Sequence, residues 1–83
     1  MITVFNITNT ATCVNCRETK RLLEENDYEF VLKDYTNDFD ELVELCSKHD
    51  VDVSTIKAAP VLVSDEGVFT GYDCIVAIED GEV

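Results

Sequence analysis

Residues 2–16 read ITVFNITNTATCVNC, and this stretch decides the fold. The first seven of these residues predict a β-strand, because β-branched and other apolar side chains dominate them. Residues 9–12 predict a short polar loop, and a helix is predicted over about residues 14–26. Two cysteines, Cys13 and Cys16, therefore stand where a strand gives way to a helix.

Cys13 and Cys16 have the spacing and position of a redox-active pair. Cys13 is predicted at a helix N-terminus, where unpaired backbone N–H groups and the helix dipole favour a thiolate over a thiol. Cys16 lies one turn further along, close enough to form a disulfide with Cys13. The pattern predicts thiol–disulfide chemistry. A merely structural pair and a pair of metal ligands remain as alternatives.

The composition indicates one globular domain, residues 1–83, with an apolar fraction of 46%. The formal net charge of −12 argues against nucleic-acid binding, which needs clustered Lys and Arg to displace counterions. It also disfavours anionic membranes, and no apolar run approaches the roughly 18 residues of a membrane span. The N-terminus has no signal-peptide features, so we expect the protein in the cytoplasm. We also expect it to be a monomer.

Basic residues cluster directly after the cysteine motif. Three of the six in the chain are Arg17, Lys20 and Arg21, which share one face of the predicted helix. One interpretation is the solvated side of an amphipathic helix. The other is a positive spot that supports the Cys13 thiolate and docks an acidic partner.

The rest of the sequence predicts an α/β fold in the order β-α-β-α-β-β-α. Further strands are predicted over residues 28–32, 60–63 and 68–70. The first two strands are expected to be parallel and the last two antiparallel, in a four-stranded mixed sheet flanked by helices. The strand at 60–63 is apolar on both faces, so we expect it in the interior of the sheet.

Two further helices complete this prediction. The second begins after residues 36–38, Thr-Asn-Asp, whose side chains are predicted to supply helix-capping oxygens. Its apolar positions recur at helical spacing and are Phe39, Leu42, Val43 and Cys46. The last helix is predicted from Tyr72 to about Gly81. The side chains expected to point inward from it are Ile75, Val76 and Ile78.

Several motifs resemble the glutaredoxin branch of the thioredoxin superfamily. They are CVNCRETKR at 13–21, APVLV at 59–63 and FTGY at 69–72, in this order along nearly the whole chain. Within that branch the sequence is most similar to the NrdH-type redoxins. The resemblance implies a thioredoxin fold and a protein that reduces disulfides with its own dithiol, without a bound cofactor.

The resemblance also implies roles for single residues. Cys13 corresponds to the attacking thiol and Cys16 to the resolving thiol. Pro60 corresponds to the family's cis-proline, with the backbone of Ala59 free to pair with a substrate strand. The rim of the substrate groove is implied at Thr70, Gly71, Tyr72 and Asp73, with Asp73 capping the last helix. A strand-opening proline and a plain helix start explain the same residues.

Departures from glutaredoxins bear on the source of electrons. Glutaredoxins usually carry a lysine before the cysteine motif, whereas residues 9–12 are uncharged here, and Ala58-Ala59 replaces their Thr-Val. The NrdH resemblance therefore implies NADPH and thioredoxin reductase as the electron source. Ribonucleotide reductase or another disulfide-bearing protein is the implied target. A glutathione-dependent glutaredoxin is the alternative.

Two alternatives involve different chemistry. Cys13, Cys16, Cys46 and His49 together have the ligand types of a structural zinc site, although the two pairs are widely separated. A core cysteine near a helix-end histidine explains Cys46 and His49 without metal. An acidic module that mimics nucleic acid would fit the net charge but leaves the cysteine pair unexplained. Cys74 is expected in the core or at the groove rim.

Overall fold

The computed structural model describes residues 2–7 and 13–83. Its strands are β1 (Ile2–Asn6), β2 (Phe30–Asp34), β3 (Val61–Ser64) and β4 (Gly67–Thr70). Its helices are α1 (Val14–Glu25), α2 (Phe39–Lys48) and α3 (Tyr72–Glu79), with a short 3₁₀ turn at Val53–Thr55. The predicted order of elements is confirmed. Thr8, predicted as the end of the first strand, and the predicted loop at 9–12 lie outside the described residues.

The four strands form one mixed sheet in the order β2-β1-β3-β4. β1 pairs with β2 in parallel, and Ile2 stands opposite Phe30. β1 also pairs with β3, and β3 with β4, both antiparallel. The sheet has the predicted directions, and β3 has the predicted interior position.

Alternation along the two central strands builds a core on each face of the sheet. Val4 of β1 and Leu62 of β3 pack with side chains of α1 and α3 on one face. Phe5 of β1 and Val61 of β3 pack with side chains of α2 on the other. All four of these side chains are fully buried. Both cores therefore depend on the register between β1 and β3.

The second strand begins two residues later than predicted. Tyr28 lies in the turn that follows α1, where its backbone N–H donates to the carbonyl of Leu23 at 3.0 Å. Asp27 adopts a left-handed φ of 58° there and reverses the chain. The apolar run that begins at Tyr28 gives no sign of this turn, so the sequence pattern places the strand too early.

The predicted cap of α2 differs in detail. Asp38 is the residue that precedes the helix, but its side chain makes no capping bond there. Its carboxylate instead accepts from the backbone N–H of Asp34 at 2.9 Å. The carboxylate of Asp34 in turn accepts from the backbone N–H groups of Thr36 and Asn37. The carboxylates of Asp34 and Asp38 therefore stabilise the turn before α2, and the Asp38 carboxylate does not cap the helix.

The inward face of α3 is also partly different from the prediction. Ile75 and Ile78 are buried as expected, whereas Val76 is 39% exposed. Cys74 and Ala77 are buried in addition. The helix packs against α1 and β4 along this face, which turns Val76 outward. None of the helices in the described part of the chain has the length and apolar character that crossing a bilayer requires.

Gly71 brings the beginning of α3 against the segment before β3. Its φ is 57°, and a Cβ built there would lie 3.0 Å from the Cβ of Ala58. Its backbone N–H donates to the carbonyl of Pro60 at 2.9 Å. A side chain at this position would meet both a left-handed backbone and a close neighbour.

We expect Gly71→Ala to lower the free energy of unfolding by on the order of 1–3 kcal/mol. Gly81→Ala is the matched control, because Gly81 also has a positive φ, of 70°, but no atom lies within 4 Å of the point that its Cβ would occupy. The control should lose only about 1 kcal/mol, the cost of the left-handed backbone. Urea denaturation of both variants measures the difference. Equal losses would show that the contact with Ala58 contributes nothing.

Candidate active site

Cys13 and Cys16 are joined by a disulfide at the beginning of α1, with their Cα atoms 5.2 Å apart. Cys13 is the residue that caps the helix, and its Sγ accepts the backbone N–H of Cys16 at 3.2 Å. Cys13 is half-buried, whereas Cys16 is fully buried. The predicted helix-end position of Cys13 is confirmed. An anionic Cys13 sulfur at this cap would keep the N–H contact and gain from the helix dipole.

The segment before β3 lies beside the disulfide. The Ala59–Pro60 peptide is cis, as the resemblance implied. The Sγ of Cys13 is 3.9 Å from the carbonyl oxygen of Ala59. Pro60 itself is fully buried. Residues 46 positions apart in the chain therefore meet at one edge of the sheet.

The predicted rim, Thr70 to Asp73, follows on the other side of Pro60. Thr70 pairs with Val61 at the end of β4, and Gly71 bonds to Pro60. Tyr72 is 63% exposed. Asp73 does not cap α3 as predicted, because the capping position is Gly71 and Asp73 lies inside the first turn. The helix dipole still stabilises the carboxylate of Asp73 at that position.

Cys74 reaches closer to the site than the sequence indicated. Its Sγ donates towards the carbonyl oxygens of Phe69, at 3.3 Å, and Pro60, at 3.4 Å. Burial raises the pKa of its thiol to about 12. It is a protonated core residue that ties α3 to the cis-proline segment. A cysteine in the first turn of an apolar helix gives no sequence signal for such a contact.

A shallow groove of about 240 Å³ opens beside Ala59, and we call it the Ala59 groove. Its other lining residues are Ile7, Tyr35, Ile56, Lys57 and Ala58. The walls are mainly apolar, with one lysine at the margin. Among the lining residues, the sequence predicts only Ala59 at a binding site, because the walls of the groove come from separate parts of the chain.

The basic cluster after the motif separates into two parts. Arg21 pairs with the carboxylates of Glu18 and Glu25. The hydrogen bond with Arg21 lowers the pKa of Glu18, and the same bond raises the pKa of Arg21. Arg17 and Lys20 form no ion pair with any residue that the structure describes. Their side chains border a second groove, between α1 and β2, which also includes Cys16 in its wall.

The structure does not assemble the four residues of the zinc alternative. Cys46 is fully buried in the core between α2 and the sheet. His49 lies at the C-terminal end of α2. Across residues 2–7 and 13–83, no three His, Cys, Asp or Glu side chains lie close enough to hold a metal ion. Burial also raises the pKa of the Cys46 thiol, which opposes the thiolate that a metal needs.

Comparison with solved structures gives an informative likeness. No protein-family model matches the sequence, and no curated protein matches it significantly. The structure of NrdH-redoxin from Escherichia coli matches with a TM-score of 0.67 at 19% sequence identity, over 95% of this chain and 91% of that chain. The chain has a thioredoxin fold. That neighbour is described as a glutaredoxin-like protein with a thioredoxin-like activity profile.

Within this thioredoxin fold, the site can carry two electrons. A disulfide that accepts two electrons and two protons becomes a dithiol, and the reverse step reduces a second disulfide. Cys13 is half-buried and is therefore partly open to an outside sulfur, whereas Cys16 is fully buried. The two cysteines therefore differ in access.

We expect alkylation of the reduced protein to start at Cys13. At about pH 6.5 an ordinary thiol is almost fully protonated and reacts slowly, whereas a thiolate at a helix N-terminus reacts fast. Cys46 and Cys74 are buried with raised pKa values and should stay unmodified. Iodoacetamide labelling with peptide mass spectrometry measures the order. Faster labelling of Cys16 than of Cys13 would reverse their assignment.

We also expect the purified chain to keep its fold without metal. Cys46 packs in an apolar core, and the described residues form no metal-binding cluster. Circular dichroism before and after treatment with a strong zinc chelator is the measurement. A chelator-induced loss of helical signal, together with one zinc per chain in elemental analysis, would reinstate the zinc site.

Proposed function

We propose that this protein is a thiol–disulfide oxidoreductase that reduces disulfides of other proteins. The observation that carries the proposal is the Cys13–Cys16 disulfide at the cap of α1, directly beside the cis Ala59–Pro60 peptide. A helix N-terminus supplies the thiolate, and the neighbouring Ala59–Pro60 segment supplies a place for a substrate chain. The likeness in fold to NrdH-redoxin is consistent with this chemistry.

The reaction takes two exchange steps. In the first, the Cys13 thiolate attacks one sulfur of the target disulfide, and the other target sulfur leaves as a thiolate that takes up a proton. A mixed disulfide between Cys13 and the target results. In the second step, Cys16 loses its proton and attacks the Cys13 sulfur. The target leaves with its second thiol, and Cys13 and Cys16 remain oxidised.

The segments around the disulfide bind the substrate protein. The backbone of Ala59 pairs with an extended target chain, and Thr70 to Asp73 form the opposite rim. The exposed Tyr72 offers an apolar surface at this rim, and the Ala59 groove offers another. A protein segment with apolar side chains next to its cysteine fits both surfaces.

The proposed electron source is NADPH through thioredoxin reductase, in the cytoplasm. Glutathione carries two carboxylates, and the Ala59 groove offers only Lys57 as a cationic partner among its lining residues. The net charge of −12 adds a weak repulsion that is screened beyond about 8 Å. The missing local contacts therefore weigh more than the net charge. Ribonucleotide reductase is the proposed target protein.

Glutathione is the second candidate, because Lys57 stands within the Ala59 groove. A single lysine there could hold one carboxylate of the tripeptide. This candidate and the first differ only in the reductant, so one assay with two reducing systems separates them.

We expect NADPH with thioredoxin reductase to sustain turnover of a protein disulfide such as that of insulin. Glutathione with glutathione reductase should be the slower system. Cys13→Ser should bring turnover to the background rate, because the attacking sulfur is lost, and Cys16→Ser should trap a mixed disulfide visible by mass. NADPH absorbance and intact-protein mass spectrometry give the two measurements.

Cys46→Ala is the matched control, since it removes a thiol that lies in the core and away from the disulfide. Its folded fraction should turn over like the parent protein. If Cys13→Ser retains activity, the proposed function is wrong. If the glutathione system is the faster one and Lys57→Ala slows it selectively, the glutathione-dependent alternative replaces the thioredoxin-reductase route.

A further inference from the structure

The groove between α1 and β2 begins at the active-site disulfide. Cys16 lies in its wall, Arg17 and Lys20 border it on the α1 side, and Leu32 borders it on the β2 side. The groove measures about 310 Å³ and does not include the Ala59 segment. We call it the Arg17 groove. It is a surface separate from the Ala59 groove, and both adjoin the disulfide.

The cations of the Arg17 groove are available to a ligand. Arg17 and Lys20 are exposed and make no ion pair with the described residues. Arg21 also borders the groove, but Glu18 and Glu25 already neutralise it. On a chain with a net charge of −12, two unpaired cations beside the reacting sulfurs form a localised positive field. The one carboxylate among the lining residues is that of Glu24, two turns of α1 beyond Cys16.

The remaining lining residues add an amide and an apolar side chain. Asn6, at the end of β1, lines the groove with only 8% of its surface exposed, and its Oδ1 is itself buried, without a hydrogen-bond partner among the described residues. Leu32, also in the lining, is 43% exposed and supplies an apolar wall. Polar, cationic and apolar surfaces together suit a peptide segment better than a bare anion.

We infer that the Arg17 groove binds an acidic segment of the disulfide-bearing substrate protein. The inference rests on the proposed function, because it concerns the substrate of the same disulfide. Along the axis of α1, Arg17 lies about 6 Å and Lys20 about 10 Å from Cys13. An extended chain covers about 3.3 Å per residue. Preferred substrates therefore carry Asp or Glu about two to three residues from the cysteine that Cys13 attacks.

The test uses two synthetic peptides, each with one internal disulfide. They differ only at positions two and three residues to either side of one cysteine, where one peptide has Glu and the other has Gln. Each is mixed with the fully reduced protein, without any reductase, and the second-order rate constant of reduction is measured by quenched-flow mass spectrometry. The readout is the ratio of the two rate constants, Glu peptide over Gln peptide.

The parent protein should give a ratio of about 3 to 10, as expected for two partly exposed charge pairs. The ratio should approach one for R17Q/K20Q and fall below one for R17E/K20E. It should also approach one at about 0.5 M salt, where screening is nearly complete. Because both peptides report on the same sample, any loss of folded protein cancels in the ratio.

K33Q/K48Q is the matched control. It removes the same total charge from residues outside the groove, since Lys33 pairs with Glu41 and Lys48 lies in the last turn of α2. Its ratio should equal that of the parent protein. If it lowers the ratio as much as R17Q/K20Q does, or if the parent protein reduces both peptides equally, the inference is overturned and the proposed function stands. If the parent protein reduces neither peptide, the proposed function itself fails.

Discussion

The central pair of strands, β1 and β3, buries both of its faces, and the positions of the helices follow from that constraint. Val4 and Leu62 need cover on one face, which α1 and α3 provide. Phe5 and Val61 need cover on the other, which α2 provides. Because β1 and β3 are antiparallel with Phe5 opposite Val61, the exit of β1 lies beside the entrance of β3. The chain after β1 leads to the cysteine pair, and the chain before β3 contains the cis-proline segment, so this one pairing creates the active site.

The four cysteines show how burial divides residues of one type into different functions. Cys74 and Cys46 lie in the cores, where loss of solvation disfavours the charged sulfur and raises both pKa values. Cys13 sits at the cap of a helix, where a backbone N–H faces its sulfur. Exchange chemistry needs the thiolate form. The fold therefore disfavours the reactive form at Cys46 and Cys74, whereas the helix cap favours it at Cys13.

Sequence reasoning predicted the fold where the pattern is local and strong, as in the β-branched first strand and the doubly apolar third strand. The start of β2 was predicted too early, because the backbone N–H of Tyr28 bonds to the last turn of α1.

The site was harder to predict from the sequence than the fold. The cis form of the Ala59–Pro60 peptide came only from family resemblance, since cis-proline has a low base rate. The neutralisation of Arg21 depends on side-chain conformations, and the bonds of Cys74 depend on the packing of α3. Contacts between distant segments therefore could not be predicted from the sequence, because they depend on how the sheet and helices pack.

Net charge and local charge act at different distances in this molecule. The overall charge of −12 repels any acidic partner, but counterions screen that field beyond about 8 Å. Within that distance a partner experiences Arg17 and Lys20, which are unpaired among the described residues, next to the disulfide. On the inference drawn above, a partner with carboxylates beside its cysteine gains from these local charges, whereas one with diffuse negative charge gains little. Complementary charges of this kind fix the register of a bound partner as well as steering its approach.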